Sequence, residues 1–468
     1  MKNLLLLLIG FLAFSCSTDS KDAVEAFSDS LIESKLTEEE AIVIANHLIN
    51  KTITQTEAIS EAEALIAFLD QNSLTTRSTS RSISNILVAT GDKIQTRSSD
   101  SSYDSDTLAY IVNFANDMGY ALISADRRTE TILAMSPDGN IDPNDDDISP
   151  GLAIFFANAE DMYEQQILSA ENAEAKLLEE ALAKMNEDNA VTRATGYTTQ
   201  LGNWENYSEF APLVKVNWGQ GAPYNDNAPL INGKSAAAGC VATAIAQIMS
   251  YHRYPTYYNW AQINKNQYHY KYESTPDPAH PLIASLFRTI GNNVEMNWGL
   301  SEDGGSGAQT VNARNHFSKM GYKNIGTMEA YNHDKIINSI VSGTPLIVRG
   351  NSKKTTSTSS YTHRHWFLGK KHTHTETNIS YSGGHAWVID GYLSRRRRVN
   401  LMSGTEVVHS YYQYEQLVHC NYGWSGSDNG YYNTAAFDTN TGPITRSVEG
   451  ESYNYQFNLE CLYNINPM

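Results

Sequence analysis

The spacing of apolar positions changes several times along this chain. Leu4 to Phe14 is a continuous apolar run behind a single positive charge, Lys2. It has the length of a signal h-region and falls short of the ~20 residues that a spanning helix needs. Residues 1–16 are therefore read as an export signal. Two endings stay open: Cys16 as the lipidated cysteine of a lipobox-like pattern, or cleavage at the small-x-small site Ala13-Phe14-Ser15. No later stretch is long and apolar enough to cross a bilayer. Residues 17–36 are polar and read as a tether. Thr37 and Glu40 then form a capping box, and Ala41, Ile44, Ala45 and Leu48 follow with helical spacing. A second helical stretch covers about 55–70. Ser73 to Ser84, rich in Ser, Thr and Arg, reads as a loop.

From Ile86 to Leu133 the period becomes strand-like. Ala109–Phe114 and Gly119–Asp126 read as two strands around an Asn-Asp turn. Pro137 to Pro150 reads as a solvated acidic loop, two helices fill 151–188, and 189–210 lacks a clear period and reads as a linker. After about 211, Gly, Tyr, Trp, Asn and His increase. Short β-like runs occur at Pro345–Arg349, His385–Asp390 and Val407–Tyr412, and helical patterns at 237–252, 281–292 and 308–319. Helices and strands are mixed without a repeating βαβ order, which is an α+β pattern.

Composition narrows the function class. The formal net charge of −18 argues against nucleic-acid binding, which needs a basic surface. Most acidic residues precede Thr195, so the two halves have different tasks. Four cysteines are present: Cys16, Cys240, Cys420 and Cys461. If Cys16 belongs to the signal, three remain, and an odd count in an exported protein leaves a free thiol that needs a reason. Cys420 and Cys461 either pair or lie buried and free.

Four segments carry chemistry. Small residues Ser235 to Gly239 lead into Cys240, and Val241, Ala244, Ile245, Ile248 and Met249 mark a buried helix starting there. A cysteine at a helix N-terminus sits at the positive end of the dipole, which favours thiolate. The same pattern alone also fits a core cysteine. Gly383-Gly384 deliver the chain into an apolar strand with His385 at its entrance, where an imidazole can accept a thiol proton. Alone, a structural histidine is the simpler reading. Downstream, Asn421 can fix the imidazole tautomer and Trp424 can shield that bond from water. Upstream, the Gln220 amide can donate to an oxyanion beside the Cys240 main-chain N–H. The order Gln, Cys, His, Asn/Trp is that of papain-like proteases.

The Cys240 segment with Gln247-Ile248-Met249 and Tyr251-His252-x-Tyr254-Pro255, the Gly-Gly-His385-Ala run and the Asn421-x-Gly-Trp424 turn resemble the streptopain family. Gly119-Tyr120 to Arg127-Arg128, with Ile132-Leu133, resembles that family's pro-domain. The resemblance implies a papain-like α+β cysteine protease domain, 196–468, preceded by a smaller α+β inhibitory pro-domain, 37–195. It implies Cys240 as nucleophile, His385 as general base, Gln220 in the oxyanion hole and Trp424 shaping the cleft. It implies protein or peptide substrates with bulky apolar side chains two positions before the scissile carbonyl, and a leading half that blocks the cleft until cut away. No cofactor or metal is expected, no nucleic-acid partner, and no membrane contact except a lipid on Cys16. The place of the protein would be the outer membrane, the periplasm or the exterior.

Two departures stand out. Tyr422 replaces a tryptophan of that family, and a polar insertion at about 351–381 carries His363, His365, His372 and His374. Paired His-x-His units are a metal pattern, weighed against a solvated loop. Arg395 to Arg398 reads as a solvated face. Two rival functions are a catalytically silent surface lipoprotein that binds a ligand, and a transglutaminase-like Cys-His acyl transferase.

Overall fold

The computed structural model describes residues 52–71, 81–90, 93–96, 107–142 except 128, 148–160, 162, 163, 167, 197–269, 277–355, 360–365, 370–375, 380–437 and 459–467. The export signal, the tether, the Thr37 capping box and Asp145–Asp147 lie outside the described residues.

The leading part begins with helix α1, Gln55–Gln71. Its Ala58, Ala62, Leu65, Ile66 and Leu69 are buried, a stripe at helical spacing that faces a sheet. That sheet comprises β1 (Ile83–Thr90), β2 (Lys93–Thr96), β3 (Thr107–Phe114), β4 (Tyr120–Ser124) and β5 (Ile132–Ser136). The Asn-Asp turn joins β3 to β4 as the sequence predicts. Asn116 and Asp117 take φ of 60° and 52°, a left-handed conformation that these two residue types tolerate. Residues 150–160 are helical and bring Leu152, Ile154, Phe155 and Phe156 into the core.

Residues 197–210 correct the linker reading. They form β6 (Tyr197–Leu201) and β7 (Glu205–Phe210), both paired antiparallel with a long strand of the second part. Pairing with a distant strand overrides their lack of local period. A two-residue hairpin follows, β8 (Leu230–Ile231) and β9 (Lys234–Ser235). Then comes α2, Cys240–His252, in which Val241 through Ser250 are all buried. Short α3 (Trp260–Ile263) precedes α4 (His280–Asn293), α5 (Asn312–Lys319) and α6 (His333–Val341). The three longer helix patterns read from the sequence at 237–252, 281–292 and 308–319 are all present.

The remaining strands are β10 (Tyr322–Lys323), β11 (Met328–Ala330), β12 (Leu346–Thr355), β13 (Ser360–His365), β14 (Lys370–Thr375), β15 (Ser380–Ser403), β16 (Glu406–Asn421), β17 (Gly430–Asn433), β18 (Glu460–Leu462) and β19 (Asn466–Pro467). One sheet runs β11-β18-β12-β15-β16-β17-β5-β4-β3-β1-β2, with β6 and β7 against β15. The bond between β17 and β5, Tyr431 to Met135 and Tyr432 to Ala134, makes the leading and second parts one continuous sheet. Their apolar faces share a core as well: Tyr120, Leu133, Leu152 and Phe155 cluster with Trp387, Val418, Cys420 and Tyr422.

The polar insertion is not simply a solvated loop. Its start extends β12 to Thr355, its end opens β15, and β13 pairs with β14 between them, with His363 in register with His372. Cys420 and Cys461 are buried and free. The fold is α+β, with the strand carrying His385 laid against the helix that starts at Cys240.

Candidate active site

The site grows from the start of α2. Gly239 precedes it at φ 87°, and a Cβ there would approach Met296 Cε to 2.8 Å. Only glycine combines that left-handed backbone with that close packing. The first main-chain N–H groups of the helix have no carbonyl partner within it, and Cys240 stands among them. Its sulfur accepts hydrogen bonds from the N–H groups of Ala386 and Val241, and its own N–H lies beside it.

The bond from Ala386 ties the two candidate residues together. Ala386 follows His385 on β15, so the imidazole is attached one residue from the N–H that touches the thiol. Register explains this meeting. Gly350 lies opposite His385 and Arg349 opposite Ala386 on β12, while Val388 lies opposite Asn421 on β16. His385 is 4 % exposed. Its ring stacks on Trp387 at 6.3 Å between centroids and 11° between planes, and meets the edge of Trp424 at 6.5 Å and 83°. Trp424 therefore borders the imidazole. Trp387 was not anticipated; only its place two residues along the same strand could have pointed to it.

His385 Nε2 lies 2.7 Å from the Tyr422 main-chain oxygen. A carbonyl only accepts, so Nε2 carries the proton and Nδ1 is the basic nitrogen. The acceptor expected for this bond was the Asn421 side chain. The structure spends that amide elsewhere. Its Oδ1 accepts from Gln247 Nε2 at 2.8 Å and from the Gly423 N–H at 3.2 Å, and its Nδ2 donates to the Val216 carbonyl at 2.9 Å. Asn421 clamps α2 to the β16 turn, and the neighbouring carbonyl orients the imidazole. A backbone acceptor has no side-chain signature, so residue types could not reveal it.

Gln220 is partly buried, and its carbonyl accepts the Ala238 N–H at 2.9 Å. This bond holds its segment beside the start of α2. Trp218, two residues earlier, is fully buried against Tyr224 and Phe287.

Charge in the site differs from the helix-dipole expectation. Burial raises the Cys240 thiol above its ordinary value, and the three N–H groups oppose that rise without overcoming it. Burial brings the His385 imidazole down to about 4, against the Tyr422 hydrogen bond. Both effects favour the neutral pair. Among the described residues no hydrogen bond joins the two side chains.

Two family models match this chain. Residues 218–432 match the Peptidase C10 family, and residues 33–163 match the Spi protease inhibitor. The chain is a streptopain-like cysteine protease with an inhibitor-type pro-domain. Streptopain of Streptococcus pyogenes is 23 % identical over 377 residues, covering 70 % of this chain and 74 % of that protein. Among solved structures, a mutant fragment of Prevotella intermedia prointerpain A aligns at 18 % identity and a TM-score of 0.46, over 82 % of this chain and 98 % of the fragment. Active interpain A from the same organism aligns at 21 % and 0.33, over 55 % and 95 %.

In this zymogen the pro-domain packs against the residues that frame the site. A Cβ on Gly151 would lie inside the ring of Tyr422, the residue whose carbonyl holds His385. Ser136 Oγ donates to the Asn429 carbonyl at 3.0 Å, and Asn429 Oδ1 accepts the Tyr422 N–H at 2.9 Å. Phe155 meets Tyr432 and Phe437 edge-on at 4.8 and 5.7 Å. Further along β15 the basic run alternates: Arg398 is exposed and Arg396 partly so, as read, but Arg395 and Arg397 turn inward. Arg395 is 0 % and Arg397 5 % exposed. Their guanidinium groups lie 4.2 and 4.5 Å from the Trp204 ring centroid. Arg395 pairs with Glu415, and Arg397 pairs with Glu61 of the pro-domain helix.

Proposed function

We propose that this zymogen is an exported cysteine endopeptidase that cuts peptide bonds through a thioester, with Cys240 as nucleophile and His385 as base. One observation carries the assignment: the Ala386 N–H on the Cys240 sulfur, which puts the imidazole one residue from the thiol. The Tyr422 carbonyl holds the ring with Nε2 protonated, which leaves Nδ1 as the nitrogen available to the thiol. Nδ1 then takes the thiol proton, and the thiolate attacks the scissile carbonyl. The Cys240 N–H and the Gln220 amide hold the oxyanion. Imidazolium protonates the leaving amine, and a water activated by the regenerated base releases the acyl group.

The neutral resting pair fits a stored precursor. Removing the pro-domain would open the cleft to water and substrate charge, which lessens the desolvation that holds both groups neutral. The apolar run Leu4–Phe14 supports export, and Cys16 supports a lipid anchor. Cell fractionation of wild type and Cys16→Ala tests the anchor: release of the variant from the membrane is expected, and equal release of both would overturn it.

The catalytic assignment is tested with Cys240→Ala. It should leave the precursor intact in mass spectra over time and abolish casein cleavage. Cleavage of casein by a clean Cys240→Ala preparation would rule the mechanism out. Products joined to added amines instead of water would indicate an acyl transferase.

A further inference from the structure

Away from the active site, the chain between α3 and α4 brings His269, Asp277 and His280 together. His269 Nε2 lies 3.0 Å from the Ile263 carbonyl oxygen, and its Nδ1 lies 3.1 Å from Asp277 Oδ2. A carbonyl cannot donate, so Nε2 carries a proton. In the neutral ring Nδ1 is then a lone pair facing a carboxylate oxygen. Two acceptors at that distance repel unless something positive lies between them. A proton on Nδ1 would suffice for that pair alone, but a third donor converges on the same place. His280 Nε2 is buried, has no hydrogen-bond partner and lies 3.9 Å from Asp277 Oδ2.

The three donor atoms lie within 4.8 Å of one another. Tetrahedral zinc with bonds of about 2.0–2.1 Å holds its ligands about 3.4 Å apart. The 3.1 and 3.9 Å separations from Asp277 Oδ2 lie within about half an ångström of that spacing, and the partly exposed His280 has to move by at most about 1.4 Å toward His269 Nδ1 to close the third. The supporting contacts are those a metal site requires. The Ile263 carbonyl sets the His269 tautomer, the Ala279 N–H donates to Asp277 Oδ1 at 2.8 Å, and Asn266 Nδ2 donates to Oδ2 at 3.1 Å. The side chain of His269 is 0 % exposed and that of His280 16 %, so the site lies just beneath the surface on the His280 side.

We propose that His269 Nδ1, Asp277 Oδ2 and His280 Nε2 bind a divalent transition-metal ion, zinc by donor type, with water as fourth ligand. One carboxylate and two imidazoles suit zinc and disfavour calcium, which takes six to eight oxygens. The role is structural. The His269 N–H donates to Tyr224 Oη at 3.3 Å, and the Asn217 N–H donates to the Gln267 carbonyl at 3.0 Å. The ion would brace this segment against 217–224, the stretch that carries Gln220.

The test uses untagged full-length Cys240→Ala protein, stripped with chelator, so that the reactive thiol cannot bind metal. Zinc is titrated calorimetrically, and cobalt(II) is followed by its visible absorption. One equivalent with the intense bands of four-coordinate cobalt is expected, and zinc should raise the melting temperature. His280→Ala and Asp277→Asn should each weaken binding by at least about tenfold and remove the thermal shift. His280→Gln replaces His280→Ala if the latter fails to fold. No binding by the parent overturns the proposal. So does an equivalent that survives both substitutions, which would place the metal elsewhere, for instance on the His-x-His pairs of 363–374.

Discussion

Glu61→Ala should loosen the zymogen more than any exposed charge removal. Glu61 lies on the pro-domain helix and is 7 % exposed. Its two oxygens take the Arg397 guanidinium and the Trp204 indole N–H, the latter at 3.1 Å. Without the carboxylate, Arg397 keeps one neutral acceptor, Gln413 Oε1 at 2.8 Å, the face of Trp204 and the longer-range charge of Glu415, which Arg395 already pairs. A buried charge stripped of its partner costs about 3–5 kcal/mol, whereas an exposed pair is worth about 0–1 kcal/mol. At tenfold per 1.4 kcal/mol, the closed form should lose roughly two to three and a half orders of magnitude against open forms. The assay is a denaturant titration of full-length Cys240→Ala protein with and without Glu61→Ala, alongside hydrogen exchange of the β3–β5 amides. Glu61→Leu with Arg397→Met should recover most of the loss, because a matched apolar pair leaves no buried charge. A loss below about 1 kcal/mol would refute the buried-pair argument. A double variant as weak as the single would assign the loss to packing.

Two further outcomes are expected. With its folded pKa brought from 6.5 to about 4, His385 binds its proton more readily in the unfolded chain. Its contribution is complete above pH 6.5 and is lost as pH falls toward 4, by up to about 3 kcal/mol. Thermal melts of full-length Cys240→Ala protein from pH 8 to 4 should show that slope, and His385→Asn should flatten it. Gly151→Val should drive a side chain into the Tyr422 ring, speed self-processing and leave the activity of the processed enzyme unchanged, since residue 151 departs with the pro-domain. Processing curves by mass spectrometry check the first part, and peptide hydrolysis the second. Unchanged processing would show that the Gly151 contact does not hold the pro-domain in place.

What the sequence determined by itself is local. The apolar spacing after Cys240 marks a buried helix, the Asn-Asp pair marks the β3–β4 turn, and the short apolar run after Gly383-Gly384-His385 marks a strand. Each follows from preferences and periods that operate within a few residues. The order of Gln220, Cys240, His385 and Trp424 made the chemistry readable, because few reactions need those groups in that succession.

Tertiary structure decided the rest. Whether the Ala386 N–H meets the Cys240 sulfur depends on how β15 sits against α2, and a one-residue slip would turn every side chain on that strand to the other face. The Tyr422 carbonyl replaced Asn421 as the orienting acceptor because every residue has a carbonyl and only the fold selects one. Arg395 and Arg397 looked like solvated charge because their covers, Trp204 and Glu61, are far away in sequence. The thiol and the imidazole stay neutral in the zymogen because desolvation outweighs a helix N-terminus. Desolvation is a property of the whole packed site, including a pro-domain that shares its core and its sheet, and no local pattern carries it.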